Sequence, residues 1–566
     1  MKRWSEPDLL SRDVPVGRFY RALKGILGEL PLTAELYWQF RQQGKPLNKS
    51  FSLHRVEQKL PEWCAQVKTS RQDTPTGRRV MIFSSLRYWV EHATLLGLAM
   101  AGLGYDVTLA YLPYANYRRP LNRFDLRRQN LYAHSILKGA APLLKSVSLL
   151  DVKLAGIGLP PTLLKAVEQV ALHDAQYILQ VEDVDQNSEV YRLRLARNTQ
   201  AARAALAWMK TNRPDVVATP NGSILEMGAI YQAARYLDIP VVTYEFGEQR
   251  QRIWMAQNSE VMRQETDALW QARQNCPLTP GQWEQVRALF ASRQRASLWE
   301  NFTRRWQGQP SQGGVQVRAV LGLDDRPVVL LAANVIGDSL TLGRQVFSQS
   351  MTEWLERTLQ FFAGHPQVQL VVRIHPGERY TDGPSVADLV QRVLPQLPDC
   401  IHLVKAEDPL NTYDLVEIAD LGLVYTTTVG MEMAMNGVPV IVAGQTHYRG
   451  KGITLDPASW EAYYDMLERS LANPEQARPS QVQVERAWHY AFSFFFEYPC
   501  PFPWHLLHLW KDVENWSIEQ VLSDQGQAEF GDAFRYLAGE PRQWNAPSTS
   551  SGCLLRQAQD ALPDSG

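Results

Sequence analysis

The stretch RRVMIFSSLRYWVEHATLLGLAMAGLGYDVTLAYL, residues 78–112, decides the fold. RRVMIFSS (78–85) reads as a buried strand, WVEHATLLGLAMAGLG (89–104) as a helix closed by glycines, and YDVTLAYL (105–112) as a second strand. Strand, helix and strand at this spacing make a βαβ unit, which requires a parallel sheet covered by helices. The rhythm returns in PDVVATPNGS (214–223), in a helix from about 223 to 237, and in IPVVTYEFGEQR (239–250). A second set of strands is expected at RPVVLLAAN (326–334), VQLVVRIHP (368–376), HLVKA (402–406), LGLVYTTT (421–428) and VPVIVAG (438–444).

Working outward, the fold class is α/β, with two Rossmann-like parallel-sheet domains facing a cleft and helical additions at both ends. The expected boundaries are a helical arm at 1–74, a first domain at 75–304, a polar glycine-rich linker at 305–325, a second domain at 326–475, C-terminal helices at 476–544 and a disordered tail at 545–566. The alanine-rich segment 187–212 reads as a long helix with its arginines on the exposed side.

Composition narrows the function classes. The 566 residues carry 58 Lys+Arg and 59 Asp+Glu, so the net charge of −1 gives no global field for nucleic acid. Apolar residues at 45% and charged residues at 21% exclude disorder over most of the length. Five scattered cysteines without a C-x-x-C pair argue against a disulfide framework or a zinc ribbon and for a reducing compartment. No signal-peptide core or bilayer-length apolar run is seen, so the expectation is a cytoplasmic protein, peripheral to the inner face of the membrane through its substrate. Neither a Walker A pattern nor a G-x-G-x-x-G fingerprint occurs, and no residue cluster has metal-ligand spacing.

Candidate chemistry sits at strand ends, where open parallel sheets bind ligands. VVRIHPG puts Arg373, His375 and Pro376 just past a strand, a cation and an imidazole suited to a phosphate. TTTVGME offers Thr426, Thr427 and Thr428 at a helix start, with Gly430 for close approach and Glu432 to accept from ribose hydroxyls. GQTHYRGKG adds His447, Arg449 and Lys451 among glycines, a phosphate clamp or a solvated turn. Asn334, Asp338 and Ser339 follow the first strand of the second set. On the other side, Glu245 ends an apolar strand and is the first choice for a general base, with Asn221 and Arg87 beside the acceptor.

LLAANVIGDS, LVVRIHPGE and DPLNTYDLVEIADLGLVYTTTVGMEMAMNGVPVIVAGQTHYRGKGITLDP resemble the capsule polysaccharide biosynthesis proteins, as does YAFSFFFEYPCPFPWH near the C-terminus. The resemblance implies a GT-B-like fold, with a nucleotide-sugar donor in the second domain and the acceptor in the first. It implies donor contacts at His375, Pro376, Thr426, Thr427, Thr428 and Glu432. The His-Pro pair with a hydroxyl-rich loop is similar to transferases that use CMP-linked acidic sugars.

The expected function is metal-independent transfer of a sugar to a capsular or surface polysaccharide, with no cofactor beyond the nucleotide-sugar substrate. Expected partners are that donor, a glycan or lipid-linked glycan acceptor, and peripheral contact with capsule assembly machinery. The alternatives are transfer of a polyol phosphate from a CDP donor, a nucleotide-sugar epimerase, and a non-catalytic glycan-assembly or export factor.

Overall fold

The computed structural model describes residues 23–42, 44–71, 75–154, 156, 158–300, 302, 307–381 and 383–544. The expectations for residues 1–22 and for the tail at 545–566 lie outside them.

The first sheet has seven strands: β1 Arg79–Ser85, β2 Asp106–Leu112, β3 Lys145–Ser148, β4 Val216–Pro220, β5 Val241–Glu245, β6 Arg252–Gln257 and β12 Cys500–Pro501. Their order is β12-β6-β5-β4-β1-β2-β3. The five strands from β5 to β3 run parallel, and β6 is antiparallel to β5. The second sheet is all parallel, in the order β11-β10-β7-β8-β9. Its strands are β7 Val328–Ala332, β8 Gln369–Arg373, β9 Ile401–Val404, β10 Leu421–Val424 and β11 Val440–Val442. Every residue of β4, β7 and β8 is buried, as strands covered on both faces by helices must be. This is the two-sheet α/β architecture expected from the βαβ unit at 78–112 and the second set of strands at 326–444.

Two sequence expectations are corrected. The C-terminal segment adds more than helices: helix Gln481–Phe492 packs on the second sheet's core, and the chain then returns to the first, where Cys500 and Pro501 pair with Ile253 and Arg252. Phe502, Trp504 and Phe534, all buried, complete the first core. The arginines of helix Glu189–Asn212 also do not all face solvent. Arg194 is fully buried between Asp174 (2.9 Å) and Glu226 (2.9 Å), and Arg197 is buried over the Tyr114 ring. A guanidinium meets such burial only with carboxylates or carbonyls around it, and helical periodicity does not reveal those partners.

The two sheet units touch where helix Pro161–Leu179 ends. Gly337 has φ +70°, and a Cβ there would come within 2.8 Å of the Gln176 carbonyl and the Val181 amide. The Glu182 carboxylate accepts from the amides of Met351 (2.9 Å) and Thr352 (2.7 Å), which opens helix Met351–Ala363 of the second unit. Gly337→Ala adds left-handed strain to a backbone clash, so it is expected to destabilise by roughly 1–3 kcal/mol. Chemical denaturation measures this, and wild-type stability in the variant refutes it.

Candidate active site

Each sheet has one point where strand order reverses, between β1 and β4 in the first and between β7 and β10 in the second. Chains leaving the carboxyl ends of such neighbours diverge, and the crevice left between them is where open α/β sheets take ligands. Asn221 follows β4 and Glu245 ends the adjacent β5, and the loops after β7 and β10 hold Asn334 and Thr426.

Glu245 is the last residue of β5 and is half-buried. Its Oε1 accepts from the Phe246 amide (3.0 Å) and its Oε2 from Asn221 Nδ2 (3.3 Å). Asn221 adopts φ +57° and is oriented by its other end, where Oδ1 accepts from the Ser223 amide (3.1 Å). Burial pushes the Glu245 carboxyl up to about 7, outweighing these two hydrogen bonds, which favour the anion. A carboxyl at that value exchanges protons near neutrality, as a general base requires.

Three tyrosines that the sequence reading missed accompany it. The phenols of half-buried Tyr177 and of Tyr88, whose side chain is 40% exposed, are pushed up by lost hydration, then by the neighbouring Tyr117, and further by the Glu245 carboxylate. Tyr177 also feels the charge of Asp338 in the second unit. Tyr88 directly follows Arg87 at a strand end, the one sequence signal that could have found it. Arg87 is half-buried and bonds Glu91 (3.4 Å). Asp338 caps its own turn, accepting from Ser339 Oγ (3.2 Å) and the Leu340 amide (3.1 Å).

In the second unit, Asn334 Oδ1 accepts from the Thr426 amide (3.1 Å), tying together the loops that flank the reversal. Thr426 Oγ1 is buried and has no hydrogen-bond partner, whereas Thr428 is half-buried at the start of helix Val429–Met435. His375 is half-buried and opens the turn Pro376–Tyr380, its Nδ1 accepting from the Gly377 amide (3.0 Å). That bond puts the proton of the neutral ring on Nε2, the tautomer that can donate to a phosphate oxygen.

Other expected donor contacts have different surroundings. Arg373 is buried and donates to the carbonyls of Lys405 (2.6 Å) and Leu410 (3.2 Å), so two of its nitrogens brace loops and only Nε lacks a partner. Burial lowers it to about 10, which still leaves it charged at neutral pH. Glu432 is buried against Arg293 (2.6 Å), which takes the carboxylate expected to face a ribose. Gly430 makes room for the Tyr448 hydroxyl and Val424, so its missing Cβ serves packing. Thr427 is buried, and its carbonyl accepts from Tyr448 Oη (2.6 Å).

In the 444–452 loop the three side chains expected to clamp a phosphate each have protein partners. His447 stacks on Phe494 at 3.8 Å and contacts Tyr490 Oη (3.0 Å); burial lowers it to about 3, so it is neutral. Arg449 donates to the carbonyls of Val442 and Pro457. Lys451 is buried and ion-paired with Asp267, beside a hollow of about 380 Å³ lined by Trp270, Gln271, Gln274 and Arg486. None of the cleft residues above lines it. Among the described residues, no three His, Cys, Asp or Glu side chains gather as a metal site would need, and four cysteines are free thiols. Among the same residues, no helix is long and apolar enough to cross a membrane.

Residues 297–474 match the family model described as capsule polysaccharide biosynthesis protein, so the resemblance carried by the motifs is borne out over that segment. No curated protein matches the chain. Among solved structures, Thermosulfurimonas dismutans KpsC, a beta Kdo 2,4 transferase, is 18% identical over 49% of this chain and 79% of its own, with a TM-score of 0.30. UDP-GlcNAc 2-epimerase from Neisseria meningitidis, bound to UDP-GlcNAc, is 13% identical over 74% of this chain and 100% of its own, at 0.22. A glycosyltransferase from Rickettsia africae is 9% identical over 79% and 100%, at 0.25. Scores this low carry no argument about function, and the fold rests on the sheet orders above.

Proposed function

We propose, from the premise that residues 297–474 are a capsule polysaccharide biosynthesis segment, that this protein transfers a sugar from a nucleotide-sugar donor to a capsular or surface polysaccharide acceptor. The observation that carries the reading is Glu245, a carboxyl pushed up to about 7 at the carboxyl edge of the first sheet. Glycosyl transfer needs a base that removes the acceptor hydroxyl's proton as the oxygen attacks the anomeric carbon, and it needs the leaving diphosphate or monophosphate stabilised.

Glu245 supplies the first need, with Asn221 holding its outer oxygen and Tyr88 and Tyr177 walling the acceptor side. His375 Nε2, Thr426 Oγ1 and Thr428 meet the second from the opposite loops, where the missing partner of Thr426 Oγ1 leaves a buried hydroxyl able to bond a ligand. Arg373 adds positive charge, with Nη1 and Nη2 bracing the 405–410 loop and Nε left unpartnered. Thr427, Gly430, Glu432, His447, Arg449 and Lys451 are assigned to the scaffold on the contacts described above.

The reading is tested by a binding screen of the full chain with CMP, CDP, UDP and GDP, followed by product analysis with the sugar nucleotide of the base that binds. A new glycosidic bond and free nucleotide are expected. A phosphodiester in the product would assign polyol-phosphate transfer instead, and binding of none of the four nucleotides would defeat the proposal. His375→Ala is expected to lower turnover about 10²-fold, measured beside the unfolding midpoint so that lost activity is separated from lost stability. An unchanged turnover would remove His375 from the site.

A further inference from the structure

Residues 23–42 are amphipathic in an inverted sense. Small side chains face the protein: Ala34 is fully buried, and a Cβ on buried Gly28 would meet the Phe124 amide of helix Arg123–Leu137 at 2.8 Å. Trp38 packs inward against Tyr132, but six large apolar side chains face outward: Leu23, Ile26, Leu30, Leu32, Leu36 and Phe40 are 39–66% exposed. Six such residues within an 18-residue stretch exceed the scattered apolar exposure normal for a soluble surface.

The charges identify what covers this face. The two acids of the stretch are each ion-paired to helix Arg123–Leu137, Glu29 with Arg123 and Glu35 with Arg127. Arg41, Lys45 and Lys49, which follow the apolar side chains in the sequence, are all exposed, and no acid lies between residues 36 and 51. An apolar face followed by exposed cations, with its acids neutralised by ion pairs, complements the acyl boundary and headgroups of an anionic bilayer.

We propose that residues 23–42 dock this protein on a membrane surface bearing anionic lipid, lying in the interface without crossing it. The docking element rests on helix Arg123–Leu137, and the loop before that helix carries Tyr117, Arg118 and Arg119. Arg197 fastens this loop to the body through the carbonyls of Asn116 (2.7 Å) and Arg119 (2.8 Å). Arg194 in turn bonds the Tyr117 carbonyl (3.4 Å) and Glu226 (2.9 Å) of helix Leu225–Tyr236, which follows the Asn221 loop. Residues 113–137 are thereby tied to the helices that carry the acceptor side of the site. The docking itself stands on the exposed face and does not depend on which donor is used.

The test is flotation of the full chain with vesicles of equal parts phosphatidylglycerol and phosphatidylcholine, against phosphatidylcholine alone. The full chain is expected to float with the anionic vesicles. The triple variant Ile26→Ser, Leu32→Ser, Phe40→Ser is expected to lower partitioning at least about tenfold with an unchanged unfolding midpoint, because all three side chains are exposed. The double variant Arg41→Glu, Lys45→Glu is expected to lower it by about as much in 0.1 M salt, and its loss should shrink as salt rises. Failure of the wild type to float, or equal flotation of the triple variant, overturns the proposal. So does a dimer that the triple variant dissolves without any vesicle binding, which assigns the face to a second copy. Flotation gained only when residues 1–22 are removed would show that the chain's own N-terminus covers the face, and also overturns it. Nucleotide binding and turnover in solution are read separately, so failure here leaves the transferase reading intact.

Discussion

Glu245→Gln is expected to lower turnover by about 10²–10⁴-fold, the usual contribution of a positioned general base, while leaving nucleotide affinity unchanged. Stability should move the other way. Burial raises the Glu245 carboxyl from 4.5 to about 7, so the folded chain holds this proton more tightly than the unfolded chain does. Its contribution is therefore fully present below about pH 4.5 and is lost as pH rises through 7. The shift corresponds to at most about 3 kcal/mol, and solvent reaching a half-buried group reduces it. Glutamine is neutral throughout and escapes that loss. Its amide nitrogen does face Asn221 Nδ2 unfavourably, at roughly 1 kcal/mol, because Ser223 prevents Asn221 from turning over. Relief of the buried charge outweighs that repulsion, so the unfolding midpoint at pH 8 should be no lower than that of wild type. In the wild type, kcat/KM should rise with pH through about 7 as the base loses its proton. A flat profile, or an active glutamine variant, would refute the assignment.

Arg194→Met is expected to destabilise the first unit by roughly 3–5 kcal/mol in urea denaturation followed by circular dichroism. The guanidinium donates through Nε to Asp174 (2.9 Å) and through Nη2 to both Glu226 (2.9 Å) and Asn198 (3.3 Å). Asp174 also accepts from the Leu225 amide, at a residue with φ +58°, and Glu226 accepts from Ser85 Oγ (3.2 Å). Arg194 therefore holds helices Pro161–Leu179, Glu189–Asn212 and Leu225–Tyr236 together and sets the loop that carries Asn221. Methionine fills much of the volume but leaves two buried carboxylates without a counter-charge, and it is that isolation which destabilises. Adding Asp174→Asn and Glu226→Gln to the methionine variant should recover most of the loss. If the single variant is as stable as wild type, the network is not what holds the helices.

The sheets were legible because parallel strands buried on both faces are continuous apolar runs, and VVLLA and QLVVR announce themselves without reference to the rest of the chain. The site edges were legible for the same reason, since a strand end located in the sequence is a ligand loop located in the fold. What each side chain does there was not. Glu432 at a helix start looks like a ligand for a sugar until Arg293, 139 residues away, is seen to occupy it. Gly430 looks like room for a phosphate until Tyr448 fills that room. Tyr88 and Tyr177 lie on different helices with no local pattern joining them, and only the tertiary fold brings both to Glu245. The two-residue β12 is too short for any periodicity to register.

That short strand bears on how the molecule is made. The first sheet leaves the ribosome before the second, yet its outer edge stays unpaired and the places of Phe502, Trp504 and Phe534 in its core stay empty until residues 500–534 have been translated. The second sheet lies between these parts in the sequence, so it can condense while the first is still waiting. Biosynthesis thus runs around a loop that residues 500–534 close. A nascent chain arrested before residue 500 would carry an open strand edge and a wet apolar pocket, the features that holdase chaperones bind.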